Sequence, residues 1–220
     1  MTVLKFAPDG YPFIIVFAFI TILVSVFGKL WIAVLPLTIT LFIAYFFRDP
    51  DRTIPDDKGV FVSPADGKVI LVKDVYERDY LKTEAREISI FMSVFNVHVN
   101  RAPCDGNVSL VRHSPGKFLV AHKDAASIEN ENTVIVLEGK YGKILVRQVA
   151  GLIARRIVCR VKVGDTLKRG ERYGMIKFGS RLDIYLPRNT EIKVRLGDKV
   201  KAGETVLGIR SESTNTNNAI

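Results

Sequence analysis

Between Phe13 and Phe47 the chain is almost wholly apolar, broken only by Gly28-Lys29 in the middle and by Pro36 further on. The alternative is a buried helical hairpin in a soluble core, and so long an apolar run weighs against it. The run therefore reads as membrane material. Phe13 to Gly28 is a little short for a full span, and Leu30 to Phe47 is near the ~20 residues a bilayer core needs. A tight helical hairpin and one span plus an interfacial segment both fit. A cleavable signal peptide fits poorly: Asp9 precedes the run, no basic cluster opens the chain, and the apolar stretch is too long.

Arg48-Asp49-Pro50-Asp51-Arg52 ends the run with a proline and alternating charge, which marks the water boundary. The organisation expected is an anchor over 1–47, a domain over 48–209 and a polar, disordered tail over 210–220. The domain holds nearly all of the lysine and arginine, so the positive-inside bias puts it in the cytoplasm, at a cell membrane. With 32 basic against 23 acidic residues, the net charge of +9 calls for an anionic partner, nucleic acid or acidic lipid. Nucleic-acid binders interleave aromatic with basic residues, whereas here the aromatic residues gather in the anchor. Cys104 and Cys159 lack the paired spacing of a zinc site and are too few for a disulfide scaffold, so both read as buried and reduced.

From Gly59 onward short β-type runs alternate with glycine turns: Val69 to Val72, Ile88 to Phe91, Val97 to Val99, Val108 to Val111, Thr133 to Leu137, Ile144 to Val149 and Ile157 to Val163. The fold class expected is mainly β, a barrel-sandwich-like domain behind an N-terminal hydrophobic helical hairpin. Helix is scarce past the anchor, with Lys123 to Ser127 the best short turn. Two echoes run through this domain. Pro64-Ala65-Asp66-Gly67-Lys68-Val69 returns as Pro103-Cys104-Asp105-Gly106-Asn107-Val108, and Gly164-Asp165-Thr166-Leu167-Lys168-Arg169-Gly170-Glu171 returns as Gly197-Asp198-Lys199-Val200-Lys201-Ala202-Gly203-Glu204. Repetition makes turn capping the first reading of Asp66.

One dipeptide carries possible chemistry. In Lys177-Phe178-Gly179-Ser180 a hydroxyl follows a glycine between two apolar runs, and glycine admits the backbone angles that open its carbonyl to the next side chain. A serine hydroxyl attacks only when a base takes its proton. The chain offers three histidines. His98, on an alternating strand, would face away from Val97 and Val99; His113 sits at a turn and reads as incidental; His122 is open.

Taken in order, Phe47-Arg48-Asp49-Pro50, Pro64-Ala65-Asp66-Gly67, Val97-His98 before Pro103-Cys104, His122, Asn130-Glu131 and Phe178-Gly179-Ser180 resemble the phosphatidylserine decarboxylase proenzymes, in their short membrane-anchored form. The resemblance implies internal serinolysis between Gly179 and Ser180. A larger β chain (Met1 to Gly179) and a smaller α chain, whose first residue becomes a pyruvoyl group, then remain together, with higher homo-oligomers possible. It implies that Asp66 and His98 assist the cut, and that the covalent pyruvoyl group holds the amine of phosphatidylserine as a Schiff base, with no metal and no pyridoxal cofactor. Longer family members carry two histidines before the Pro-Cys. Here only His98 is present, so it is a candidate both for the cleavage base and for the later proton donor, with His122 second for the donor. The family's Gly-Ser-Thr is Gly179-Ser180-Arg181 here. The alternative class is a non-enzymatic, membrane-anchored barrel-sandwich adaptor or carrier. A carrier needs a methionine-flanked lysine at a hairpin tip, and no lysine here has such flanks.

Overall fold

The apolar run forms two helices, α1 (Tyr11–Phe27) and α2 (Leu30–Phe46). A proline in its first turn presets α1, and Gly28 ends it in an extended conformation (φ −106°, ψ −174°). The chain then reverses: Thr21 Oγ1 meets Thr40 Oγ1 at 3.0 Å and Phe13 stacks on Phe47 at 5.7 Å, so the helices run antiparallel. No residue of α1 is buried. Pro8–Phe27, 20 residues with mean hydropathy 2.4, is long and apolar enough to cross a membrane, whereas α2 is shorter. This is a computed structural model, and it describes residues 5–117, 130–151, 156–177 and 179–210. The expectations placed on His122, on the Lys123 to Ser127 turn and on the tail from Ser211 lie outside the described residues. Arg210, expected to open that tail, is still tied to the domain through its amide and the Gly59 carbonyl (2.9 Å).

Beyond Arg48 the described residues build β-structure. The strands are β1 (Val60–Val62), β2 (Gly67–Glu77), β3 (Thr83–Met92), β4 (Val99–Arg101), β5 (Gly106–Ser114), β6 (Asn132–Gly139) and β7 (Gly142–Ala150). Then come β8 (Ile157–Cys159), β9 (Thr166–Leu167), β10 (Arg172–Ile176), β11 (Ser180–Pro187), β12 (Glu191–Ile192), β13 (Lys199–Val200) and β14 (Val206–Ile209). Eight of them form a curled half-barrel in the order β13-β2-β3-β11-β7-β6-β5-β9, and two three-stranded sheets, β1-β14-β12 and β4-β10-β8, flank it. The β-rich class read from the sequence holds. Two strands differ from expectation: β4 is displaced by two residues, running Val99–Arg101 rather than Val97 to Val99, and β8 is shorter, ending at Cys159. As β8 lies at a sheet edge, Cys159 is half-buried rather than buried. Cys104 is buried, and that burial pushes its thiol up to about 12.

The sequence echoes are the two halves of this sheet. Val69 donates to Asp198 O (2.9 Å) and accepts from Gly197 N (2.8 Å); Val108 does the same with Asp165 O and Gly164 N (2.8 Å each). A bulge follows each valine, between Val69 and Leu71 in β2 and between Val108 and Leu110 in β5. Asp66 Oδ1 accepts the amide of Ala202 at 2.8 Å, and Asp105 Oδ1 the amide of Arg169 at 2.8 Å. Each Pro-x-Asp-Gly turn thus clasps one Gly-Asp turn.

The main core lies on one face of the half-barrel, where Ile88 and Ile90 of β3, Leu137 of β6, Ile144 of β7 and Leu182 and Ile184 of β11 are sealed from solvent. A second cluster joins the base of the helical hairpin to the small β4-β10-β8 sheet through Ile43, Phe46, Phe47, Val97, Val99 and Met175. Phe46 and Phe47 are fully buried there, each worth ~1.5–3 kcal/mol by the burial of its ring. The hairpin is therefore fastened beside β4, next to His98.

Candidate active site

Ser180 is the first residue of β11, a strand flanked on both sides, by β3 through Met92 and by β7 through Ala150. Its side chain is fully buried, and its hydroxyl points at Met92 Sδ, 3.3 Å away. A thioether is a weak acceptor, so the oxygen is desolvated without being strongly engaged. Gly179 before it has φ +58°, a left-handed conformation. A Cβ there would find only Val94 Cγ1 within 4 Å, at 3.9 Å, so backbone conformation rather than space selects glycine.

Along β11 the side chains alternate. Leu182, Ile184 and Leu186 join Ser180 toward the core, while Arg181, Asp183 and Tyr185 take the other face. Arg181 is buried there, with Nε on Asp183 Oδ1 (2.6 Å) and Nη2 on Ser89 Oγ (2.8 Å). Tyr185 donates to Glu87 Oε1 at 3.0 Å beside them. Charged groups buried this deeply stay in place only with their hydrogen bonds made, so the first residues of β11 are pinned in register behind Ser180.

His98 does not sit on an alternating strand. It lies in the bend before β4 and packs on Phe46, 4.2 Å between ring centres, a residue of the same apolar cluster as Val97 and Val99. The bend is set by Asn96, whose side chain accepts from Ser93 N and Oγ (2.9 and 2.8 Å) and whose carbonyl meets His98 Nδ1 at 2.9 Å. A carbonyl only accepts, so the ring proton is on Nδ1 and Nε2 carries a bare lone pair. That Nε2 is buried without a partner. Burial, opposed by the Asn96 bond and reinforced by the charge of Arg48, lowers the imidazole to about 4. At neutral pH it is an uncharged base.

One short stretch connects these groups. Met92 touches Ser180, Val94 faces Gly179, and the Asn96 carbonyl holds His98. Asn100, two residues on, approaches the same Met92 sulfur with Nδ2 (3.9 Å) and takes Gln148 Nε2 on Oδ1 at 2.8 Å. Gln148 Oε1 is buried and unpaired. No hydrogen bond joins His98 to Ser180 directly. Asn130 and Glu131 grip Ala150, the residue across from Ser180: Asn130 Nδ2 donates to its carbonyl (2.7 Å) and Glu131 O accepts its amide (2.9 Å). Asp66 bonds to Arg52 Nη2 (2.9 and 2.8 Å) and to the Ala202 amide, and to neither His98 nor Ser180. His113 lies on β5 against Thr133 Oγ1 (3.1 Å). Among the described residues no cluster of histidine, cysteine or acidic side chains is disposed to hold a metal.

The sequence model for phosphatidylserine decarboxylase matches residues 39–208, from within α2 into β14. The chain belongs to the phosphatidylserine decarboxylase family. It is 52% identical over 204 residues to the phosphatidylserine decarboxylase proenzyme of Syntrophus aciditrophicus, covering 92% of this chain and 96% of that one. The proenzyme of Geotalea uraniireducens is also 52% identical over 204 residues (92% and 95%), and that of Geobacter sulfurreducens 51% identical over 211 (92% and 95%). The decarboxylase match takes in Ser180, His98, Asp66 and the whole half-barrel, and leaves out α1. Reading the sequence alone missed Asn100, Gln148 and the partners of Arg181. Nothing local marks Asn100 or Gln148, which meet only through the packing of β4 against β7. The alternation Arg181, Asp183, Tyr185 was available as a signal, since three polar residues on one face of an otherwise apolar strand need partners.

Proposed function

We propose that this chain cuts itself between Gly179 and Ser180 and, as a complex of the two resulting chains, converts phosphatidylserine to phosphatidylethanolamine at the cytoplasmic face of a cell membrane. The observation that carries this reading is the uncharged imidazole of His98, its Nε2 lone pair buried and unused, on the same short stretch that packs against Ser180 and Gly179.

Ser180 Oγ attacks the Gly179 carbonyl carbon and gives its proton to a base, for which His98 Nε2 is the candidate. The peptide C–N bond breaks, leaving an ester from Gly179 to Ser180 Oγ and a free amine at residue 180. Loss of the Cα proton of residue 180 with cleavage of its Cβ–Oγ bond releases the Gly179 carboxylate and leaves dehydroalanine. Water then replaces its nitrogen, which departs as ammonia, and a pyruvoyl carbonyl remains at position 180. That carbonyl supplies the electron sink needed for the pair left behind when carbon dioxide departs, which no ordinary side chain offers. The residues in place suit it. Met92 and Ala150 exclude water, and the amides of Asn100 and Gln148 are the polar groups near Met92 that would hold it. A proton taken up at His98 Nε2 is available for return to carbon, with His122 the second candidate for that donor. Asp66 enters as a positioning residue, through its pair with Arg52 and its hold on the Ala202 turn.

The helical hairpin keeps the site at the bilayer, and the basic domain adds attraction to anionic lipid of about 1 kcal/mol per cation at the surface. Ser180→Ala tests the reading. It is expected to stay one uncut polypeptide without decarboxylase activity, while Ser180→Cys cuts slowly through a thioester. An active, single-chain Ser180→Ala protein would contradict it.

A further inference from the structure

Where the hairpin meets the β domain, cations are matched to carboxylates. Arg101 and Arg172 share Asp49, Lys5 takes Asp51, Arg160 and Lys177 take Asp9, and Arg52 takes Asp66. Arg48 is in the same place and is treated differently. Its Nη1 donates to Tyr45 O (2.6 Å), its Nη2 to Phe95 O (2.8 Å), and the guanidinium lies 3.8 Å over the Tyr45 ring. Among the described residues no carboxylate pairs with it. Two carbonyls and a ring fix the guanidinium without neutralising it, and they use two of its five N–H donors.

Its position is specific in two directions. Toward the membrane, Arg48 lies two residues past the end of α2, beside an exposed Tyr45 and an exposed Phe95 that packs edge-on to Phe42 of α2 (6.4 Å). Aromatic residues next to an arginine at the end of an apolar helix mark the headgroup level of a bilayer. Toward the chemistry, Arg48 holds the carbonyl of Phe95, whose neighbour Val94 faces Gly179, with consecutive Cα atoms ~3.8 Å apart. A guanidinium with no carboxylate partner among the described residues thus stands at the foot of the apolar helices and holds the residue next to Val94, whose side chain faces Gly179.

We propose that Arg48 binds the phosphodiester of the lipid headgroup, with its remaining N–H donors forked onto the phosphate oxygens, and so sets the substrate amine toward residue 180. This rests on the decarboxylase reading given above. Substrate and product share the phosphodiester, so both are bound through Arg48, and the residue acts on binding rather than on the cut.

The test uses the full chain in uncharged detergent micelles, where the anionic substrate is dilute and bulk attraction to an anionic surface is weakened. Arg48→Gln and Arg48→Lys are expected to be cut to two chains as wild type is. Arg48→Gln should raise KM for phosphatidylserine at least tenfold with kcat within about twofold, and Arg48→Lys should fall between, since it keeps the charge and loses the fork. Calorimetry with glycerophosphoethanolamine, the product headgroup without its acyl chains, should show binding to wild type that weakens at least tenfold in Arg48→Gln, and inorganic phosphate should bind more weakly than the diester. An unchanged KM, a joint loss of cutting and kcat that Arg48→Lys shares, or phosphate binding equal to the diester would each overturn the proposal. The calorimetric arm needs no turnover, so a wild-type chain that is uncut and inactive, yet binds the diester through Arg48, would sink the decarboxylase reading and with it the orientation of the amine, and leave only the phosphodiester contact standing.

Discussion

The two halves of the half-barrel share a register and differ at one end. Ile90 of β3 pairs with Val69 and Leu182, and Leu137 of β6 pairs with Val108 and Ile144. Carried along the strands, this makes Met92 the counterpart of Gly139 and Ser180 the counterpart of Gly142. Gly139 and Gly142 close a tight hairpin through Lys140 and Tyr141. Met92 and Ser180 pair in the same way, but the chain between them makes the whole second half of the domain before it returns. The bond proposed to be cut thus stands where the other half has an ordinary turn. Its loss removes no strand pairing, because β11 stays between β3 and β7 and the later strands stay on β1 and β2. A cut there leaves two chains held together by the half-barrel and by the β1-β14-β12 sheet.

Residues behind the matched ends differ as well, and this gives the largest expected effect. Arg181 corresponds to Lys143, which is exposed and paired with an exposed Glu138 at 2.7 Å. Arg181→Leu removes the buried bonds of the guanidinium to Asp183 and Ser89 and should cost about 3–5 kcal/mol in chemical denaturation, whereas Lys143→Leu should leave the midpoint within error. Equal effects would mean that the buried network does not pin β11.

Asp66 and Asp105 come next. Both hold one turn amide, yet only Asp66 is buried and carries an arginine. Asp66→Ala should accumulate uncut chain and Asp105→Ala should mature, judged by gel during a chase after synthesis. Equal processing of the two variants would reduce Asp66 to its turn.

The smallest effect is in pH. A histidine lowered from 6.5 to about 4 stays a free base over most of the accessible range, so the cutting rate should be nearly flat from about pH 7.5 to 5.5 and fall toward pH 4. The unfolded chain takes up that proton near 6.5, before the folded one does, so stability is full above 6.5 and is lost as pH falls through about 4. A cutting rate that halves near pH 6.5 would show that His98 is not a buried base.

Much of this was legible in the sequence because it is written locally. Unbroken apolarity from Phe13 to Phe47 gives the hairpin, glycine-punctuated runs give the strands, and the two echoes give the repeated turns. The halves could not be matched from the echoes alone, since the pairing of β3 with β11 joins residues separated by the rest of the domain. His98 was misplaced on a strand because Val97-His98-Val99 alternates, while the Asn96 side chain had already bent the chain there. Asp66 was read as the cap of its own turn, whereas its carboxylate holds the distant Ala202 turn and its salt bridge comes from Arg52, in a stretch that looked only like a helix terminator.

The central claim, that the bond at the open end of the first half is broken by Ser180, is tested most directly by the intact mass of the purified wild-type chain. Two polypeptides are predicted, Met1 to Gly179 and a small chain from residue 180 that resists stepwise N-terminal degradation and is lighter by one ammonia than hydrolysis would leave it. A single unbroken mass, or a small chain that begins with a free serine amine, would contradict the account.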